Sequence, residues 1–222
     1  MYLTHSTPAV SGSPNHYYPA SSTFHQTFAR IVPTTAQEAR ALVADMRARN
    51  VARLYVSSDG STYGASVADE VRTAAKAQGI TLASRVTDAD GVFYGAVAGA
   101  RARQALDRVA ASSPKAKLFA PSALYDDTFV AGLSAAAQSN LYVSAAAVPP
   151  ASQTADARAF ASAFSSTYGH APQPQAVYGY EAMSALIAVL KNLGAIANRR
   201  DQVVARFRGL SNRQSALGTY SL

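Results

Sequence analysis

An open α/β fold built on a parallel sheet is what this sequence predicts, on three observations. A short apolar run of strand formers, Leu54-Tyr55-Val56, is followed at once by the small polar turn Ser57-Ser58-Asp59-Gly60-Ser61. From Tyr63 onward the apolar positions change to helical spacing, at Val67, Val71, Ala74 and Ala75, until Gly79. The same alternation of strand and helix then recurs along the chain. In such sheets ligands sit beyond the carboxyl ends of the strands, where the polar turn lies.

Upstream of that unit, Phe28-Ala29-Arg30-Ile31-Val32 reads as a short strand closed by Pro33. Thr35-Ala36-Gln37-Glu38 fits a capping box, and Ala39, Leu42, Val43 and Met46 follow at helical spacing. Residues Met1 to Thr27 show little periodicity. Only Tyr2-Leu3-Thr4 resembles a strand end, and the turn His5-Ser6-Thr7-Pro8 either presents hydroxyls to a ligand or is an ordinary Ser/Thr turn.

Downstream, Ile80 to Val86 and Gly91 to Val97 alternate as strands, with only Thr87 to Asp90 between them. Parallel neighbours need a crossover of about a dozen residues. Either these two strands pair as a hairpin, or one leaves the sheet. Arg101 to Ala111 is then a helix and Lys117 to Ala120 a strand closed by Pro121. Asp126 or Asp127 caps a helix through Gln138, and Leu141 to Ala145 is a further strand. Pro149-Pro150 marks a boundary. Beyond it the chain is helical from Thr154 to Gly169, through the apolar segment Ala182 to Gly194, and from Arg199 to Arg208, before a strand at the end.

Composition narrows the function classes. In 222 residues, 49% are hydrophobic, enough for a real core, and cysteine is absent, which removes disulfides and thiolate chemistry. No apolar run approaches the length of a membrane span, and Met1 to Ser6 lacks the pattern of an export signal. The net charge of +7 is spread over small arginine groups without interleaved aromatics, the pattern of a solvated surface and not of a nucleic-acid interface.

Catalytic motifs are missing as well. There is no Gly-x-Ser-x-Gly elbow, no phosphate loop and no Gly-x-Gly-x-x-Gly turn. The histidines His5, His16, His25 and His170 lie in loop-like segments without zinc spacing. The sequence predicts a non-enzymatic protein with no metal and no cofactor.

Five motifs in order carry a family resemblance: Phe28 to Pro33, the Tyr63-Gly64 helix start, the Gly91 to Gly95 strand, Phe119 to Pro121, and Tyr178-Gly179-Tyr180-Glu181-Ala182. Together they resemble the periplasmic leucine/isoleucine/valine-binding proteins, the solute receptors of branched-chain amino-acid ABC transporters. The resemblance implies a type I periplasmic-binding-protein-like α/β fold, with one lobe built on a parallel sheet and a second lobe incomplete at both ends. On that map residues 1–30 are the remnant of the first lobe and the crossover. Residues 31–148 form the second lobe, and residues 149–222 are a helical return to the first.

In the family the solute lies between the lobes, which close on it about a hinge. Carried over residue by residue, Ser6 and Thr7 fall near the first-lobe contacts and Tyr63 matches the second-lobe tyrosine. A further aromatic is replaced near Val97, and the acid expected for the ligand's ammonium is Ser122, with Asp126 or Asp127 able to substitute only if their loop bends inward. The implied function is a receptor for an amino acid or related small polar solute. Its implied partner is an ABC permease in the full-length context, and its location periplasmic or at the cell surface. The alternatives are a non-binding fragment of such a receptor, or an α/β enzyme whose site has no recognised motif. On their own residues, Tyr63 is equally a tyrosine packed on the sheet, Tyr178 and Tyr180 pack within one lobe, and Glu181 is a solvated or capping acid.

Overall fold

The computed structural model describes residues 31–145 and 154–222. These fall into two compact units, one formed by Pro33–Ala145 and the other by Ile31, Val32 and residues 154–222. The expected Ser6-Thr7 turn and most of the strand expected over Phe28 to Val32 lie outside the described residues, and Ile31 and Val32 are not in a strand.

The Pro33–Ala145 unit opens with helix α1 (Thr35–Ala48). Its cap is one residue earlier than the sequence suggested. Thr34 is the N-cap, its hydroxyl accepts from the Gln37 amide at 3.2 Å, and the Gln37 side chain accepts from the Thr34 amide at 2.8 Å. Thr35 instead turns inward and is buried. Glu38 is thereby released from capping and faces other partners. The buried face of α1 is the expected one: Ala39, Leu42, Val43 and Met46.

Strand β1 (Arg53–Ser58) feeds helix α2 (Thr62–Ala77) through the polar turn. Ser61 caps α2, accepting from the Gly64 amide at 3.0 Å, and Tyr63, Val67, Val71, Ala74 and Ala75 are buried along it. Strands β2 (Thr81–Leu82), β3 (Gly91–Gly95), β4 (Lys117–Ala120) and β5 (Leu141–Val143) complete a five-stranded sheet in the order β2-β1-β3-β4-β5. All its pairings are parallel.

Neither expectation for the segment 80–97 holds. β2 and β3 do not pair with each other; they flank β1, with Leu82 and Gly91 both opposite Leu54. A strand of two residues ends near the edge of the sheet where it began, so the chain needs only a short excursion past the start of β1 to reach the other side. Asp90 fixes that passage. Its carboxylate accepts from the amides of Ala52 at 3.0 Å and Arg53 at 2.7 Å.

The sheet has two buried faces, sorted by the alternation of strand side chains. Leu54, Phe93 and Phe119 pack with α1 and α2. Val92, Tyr94, Leu118 and Ala120 pack with helix α3 (Ala100–Ser112) and with the two short helices α4 (Asp127–Ala131) and α5 (Ala135–Asn140). Those last two replace the single helix expected through Gln138. Asp126 caps α4 as foreseen, but the helix ends at Gly132 and Ser134 caps α5 afresh.

At the carboxyl end of the sheet α2 sits directly on β3. A Cβ on Gly64 would overlap the Gly95 carbonyl oxygen, and a Cβ on Gly95 would overlap the Gly64 carbonyl oxygen. Only a pair of glycines permits this approach.

The second unit is mainly helical, with α6 (Ala155–Tyr168), α7 (Ala176–Leu193) and α8 (Arg200–Arg208). Thr154 caps α6, and Gly169 ends it in the left-handed region at φ 75°. The expected terminal strand is half of a hairpin, β6 (Arg213–Ser215) and β7 (Gly218–Tyr220), paired antiparallel. Glu181 is not a solvated acid. It is 1% exposed and accepts from Arg213 Nε at 2.6 Å and from the Tyr220 hydroxyl at 2.8 Å, fastening the hairpin to α7. Arg213 also donates to the Ser184 hydroxyl at 2.9 Å.

Two stability predictions come from these contacts. Gly95→Ala must push α2 off β3, and the cost expected for such overpacking is about 1–3 kcal/mol; urea unfolding monitored by circular dichroism measures it. Arg213→Met leaves the Glu181 carboxylate buried without its cation, at a cost of about 3–5 kcal/mol. The double variant Glu181→Leu/Arg213→Met is expected to recover much of that loss, because it removes the stranded charge. Equal loss in the two variants would refute the ion pair's role.

Candidate functional site

The strand order places a switch point between β1 and β3. From β1 the chain steps outward to β2, then returns to the opposite side of β1 as β3. The crevice at the carboxyl ends of two such strands is where open α/β sheets bind ligands. Here those ends are Ser58 and Gly95, which lie opposite each other in register.

Asp59 organises this corner. Its amide donates to the Gly95 carbonyl at 2.9 Å, extending the ladder by one bond. One carboxylate oxygen accepts from the Ser61 amide at 2.9 Å and the Ser61 hydroxyl at 2.6 Å. The other accepts from the Val97 amide at 3.2 Å. The carboxylate therefore ties the β1–α2 turn to the loop after β3. Burial by itself would raise its pKa, but the hydrogen bonds from Ser61 and Val97 outweigh that and hold it below the ordinary aspartate value.

A second group lies over the ends of β4 and β5. One oxygen of Glu38, on the first turns of α1, accepts from the Ser122 amide at 2.7 Å and from the Ser144 hydroxyl at 2.5 Å. Tyr63 sits beside it, 8% exposed, in the core between α1, α2 and the sheet. Its hydroxyl is buried without a well-aligned hydrogen bond, although Ser122 and Ala123 adjoin it. Burial, and then the nearby Glu38 charge, raise the phenol's pKa well above its usual value.

The structure thus brings Tyr63 and Ser122 together, while Val97, 47% exposed, stands at the switch point on the loop held by Asp59. Ser6 and Thr7 lie outside the described residues. Asp126 is not a stand-in acid for Ser122: it is exposed and engaged as the cap of α4, accepting from Phe129 at 2.6 Å. Tyr178 is buried in the second unit, and Tyr180 stacks on Phe160 with ring centroids 4.6 Å apart.

Sequence reasoning missed Asp59, Glu38 and Ser144. The Asp-Gly-Ser turn directly after a strand was the available signal for Asp59, since an aspartate there accepts from the amide two residues on. Glu38 was hidden by its assignment to the helix cap. Nothing local marks Ser144.

A family profile for periplasmic binding proteins matches residues 85–222, more than half of the chain. The chain belongs to the periplasmic binding protein family. Its resemblance to the leucine/isoleucine/valine-binding proteins stands on that match, and the parallel sheet with flanking helices is the type I fold of the family.

Solved structures agree on the fold. An ABC transporter substrate-binding protein from Desulfitobacterium hafniense, in complex with Leu, matches with a TM-score of 0.68 at 21% identity, over 86% of this chain and 58% of its own. The leucine-binding protein of Thermotoga maritima matches with a TM-score of 0.69 at 12% identity, over 95% of this chain and 63% of its own. A solute-binding protein from R. palustris in complex with benzoate matches with a TM-score of 0.63 at 18% identity, over 86% of this chain and 57% of its own. The chain therefore spans less than two thirds of the length of these periplasmic binding proteins. No curated protein matches the sequence.

The pKa of Asp59 gives a test of the corner it holds. A carboxyl whose folded-state pKa is depressed contributes stability that is full above its unfolded value, about 3.9, and is lost as pH falls through the folded value. Asp59→Asn is expected to flatten the acid limb of the stability profile in that range, as measured by urea unfolding between about pH 5 and pH 2.5. An unchanged acid limb would show that the staple carries no stability.

Proposed function

We propose that this protein is the solute-binding receptor of an ABC importer, acting outside the cytoplasm, and that it captures an amino acid or related small polar solute without transforming it. Family membership supports the receptor class. The observation that carries the proposal is the arrangement at the carboxyl ends of β1, β3, β4 and β5, where Asp59, Val97, Ser122, Glu38 and Ser144 gather. Polar groups held by backbone and side-chain bonds on a rigid sheet suit recognition: they are organised before the solute arrives.

In this reading the Pro33–Ala145 unit is the second lobe, and residues 154–222 belong to the first. Closure of the lobes about a hinge, and delivery to a permease, complete the proposed cycle. Val97 and Ser122 face the solute, and Tyr63 forms the floor beneath it. The solutes named for the matched structures, Leu and benzoate, share a carboxylate and an apolar body. That shared chemistry defines the first compounds to try.

The test is a thermal-shift screen of the whole chain against amino acids and aliphatic and aromatic carboxylic acids. A solute at a hundred times its Kd stabilises a folded protein by about 2.7 kcal/mol, which for a chain of this size is a shift of several degrees in Tm. Val97→Glu puts a charge on an exposed loop position, so the Tm of the free protein should hold while affinity for an anionic solute falls about tenfold. A panel without a single shift would remove the proposal.

A further inference from the structure

Every crossover of the five-stranded sheet but one contains a helix: α2 joins β1 to β2, α3 joins β3 to β4, and α4 with α5 joins β4 to β5. Between β2 and β3 there is only one turn of 3-10 helix, Val86–Asp88. Parallel crossovers are right-handed, so the direction of the step decides which face the connection covers. The step from β1 to β2 puts α2 on the face of Leu54 and Phe93. The step from β2 to β3 runs the other way, as α3 does, and belongs on the face of Val92 and Tyr94. Val86 does pack on that face. A single turn covers far less of a sheet than a helix, so β1 and β2 stay open on this side.

Exposure marks the gap. Tyr55 and Ser57 lie opposite Val92 and Tyr94 in register and share their face. Val92 is 0% exposed and Tyr94 8%, yet Tyr55 and Ser57 are only half-buried, and Arg53 and Thr81 are exposed. An interior strand of a parallel sheet is ordinarily buried on both faces.

One flank of α3 forms the wall of this open face. Arg103 lies over the Phe129 ring and Asp107 accepts from the Ser134 amide at 2.8 Å, so their flank is turned to α4 and α5. Arg101, Ala105 and Arg108 stand on the opposite flank, toward β1, and both arginines are exposed. Arg101 donates to the Asp59 carbonyl, just past β1, at 3.4 Å. Burial, and then the Asp59 charge, raise the Tyr94 phenol's pKa, while the charges of Arg101 and Arg108 oppose that rise, as cations near it must. Arg53 lies at the start of β1, and Arg85 pairs with Asp88 at 3.1 Å. Among the described residues Arg53, Arg101 and Arg108 form no ion pair.

We infer that this open face is a docking site for an acidic amphipathic helix of another protein, lying along β1 and β2 beside α3. Its apolar side rests on Tyr55 and Val86, and its carboxylates meet Arg101 and Arg108 on one margin and Arg53 on the other. The dimensions suit one helix. β1 is six residues long, about 20 Å, which is the length of about 13 helical residues. The chain does not supply this occupant itself. Residues 1–30 and 146–153 contain no Asp or Glu, and a second copy would bring the same net charge of +7. The half-buried tyrosine and valine at the centre favour an apolar helix face over a nucleic acid.

Fluorescence anisotropy on the whole chain, with three synthetic peptides of that helical length, tests the inference. One has leucines on one side and glutamates on both flanks; in the second lysines replace the glutamates, and in the third glutamines replace the leucines. The glutamate–leucine peptide is expected to bind saturably, about tenfold or more tightly than either control, and more weakly as salt rises. Arg101→Glu/Arg108→Glu should reverse the preference between glutamate and lysine peptides. Arg200→Glu/Arg206→Glu, an equal change in charge at exposed positions of α8, should leave it as it was. With Tyr55→p-benzoylphenylalanine, illumination should join the glutamate–leucine peptide to the chain. No saturable binding, a control peptide that binds equally well, equal effects of the two double variants, or a crosslink from position 55 to residues 1–30 or to a second copy overturns the inference and leaves the receptor reading intact.

Discussion

The contact on which the Pro33–Ala145 unit depends is the meeting of two backbones, Gly64 at the start of α2 and Gly95 at the end of β3. It is a packing constraint with no strength of its own, yet it sets where the helix begins relative to the sheet. Because α2 starts on the strand end, its cap Ser61 comes within reach of Asp59, and Asp59 in turn comes within reach of the Val97 amide. The polar corner is thus a consequence of two residues having no side chain. A larger residue at either position would lift the helix and open every bond that follows.

Much of this architecture was legible because it is local. Strand residues alternate with a period of two and helix residues recur near 3.6, so Leu54 to Val56 and Val67 to Ala75 declare their structure within a few positions. The exceptions are instructive. β2 was read as seven residues and is two, because the apolar alternation through Val86 continues after the hydrogen-bonded ladder has ended. Thr34 and Thr35 are equally good caps by composition; burial of Thr35 against the core decided between them. The hairpin of β6 and β7 was half seen, since Arg213-Gln214-Ser215 has no strand propensity and is held by its partner.

The candidate site was less legible, for a different reason. The resemblance proposes Tyr63 and Ser122, but the polar bonds that shape such groups act across the chain: Glu38 meets Ser122 and Ser144 at separations of 84 and 106 residues and, in the other unit, Glu181 meets Arg213 at 32. No window of sequence contains both partners of any of these bonds. Composition shows that the chain has carboxylates; only the fold shows that Glu181 meets Arg213 while Asp59 and Glu38 meet neutral donors.

Tyr63 shows how the two kinds of information combine. A tyrosine opening a helix at the mouth of a parallel sheet has two ordinary readings, packing residue or ligand contact, and its burial answers for packing. Burial alone would favour phenylalanine at that position, since a phenol removed from water without a partner forfeits its hydration. The hydroxyl is tolerable only where something recovers that loss, and the elements nearest it are the Ser122–Ala123 turn and the Glu38 carboxylate. The ring therefore belongs to the core, while the oxygen lies against the Ser122–Ala123 turn at the carboxyl ends of the sheet.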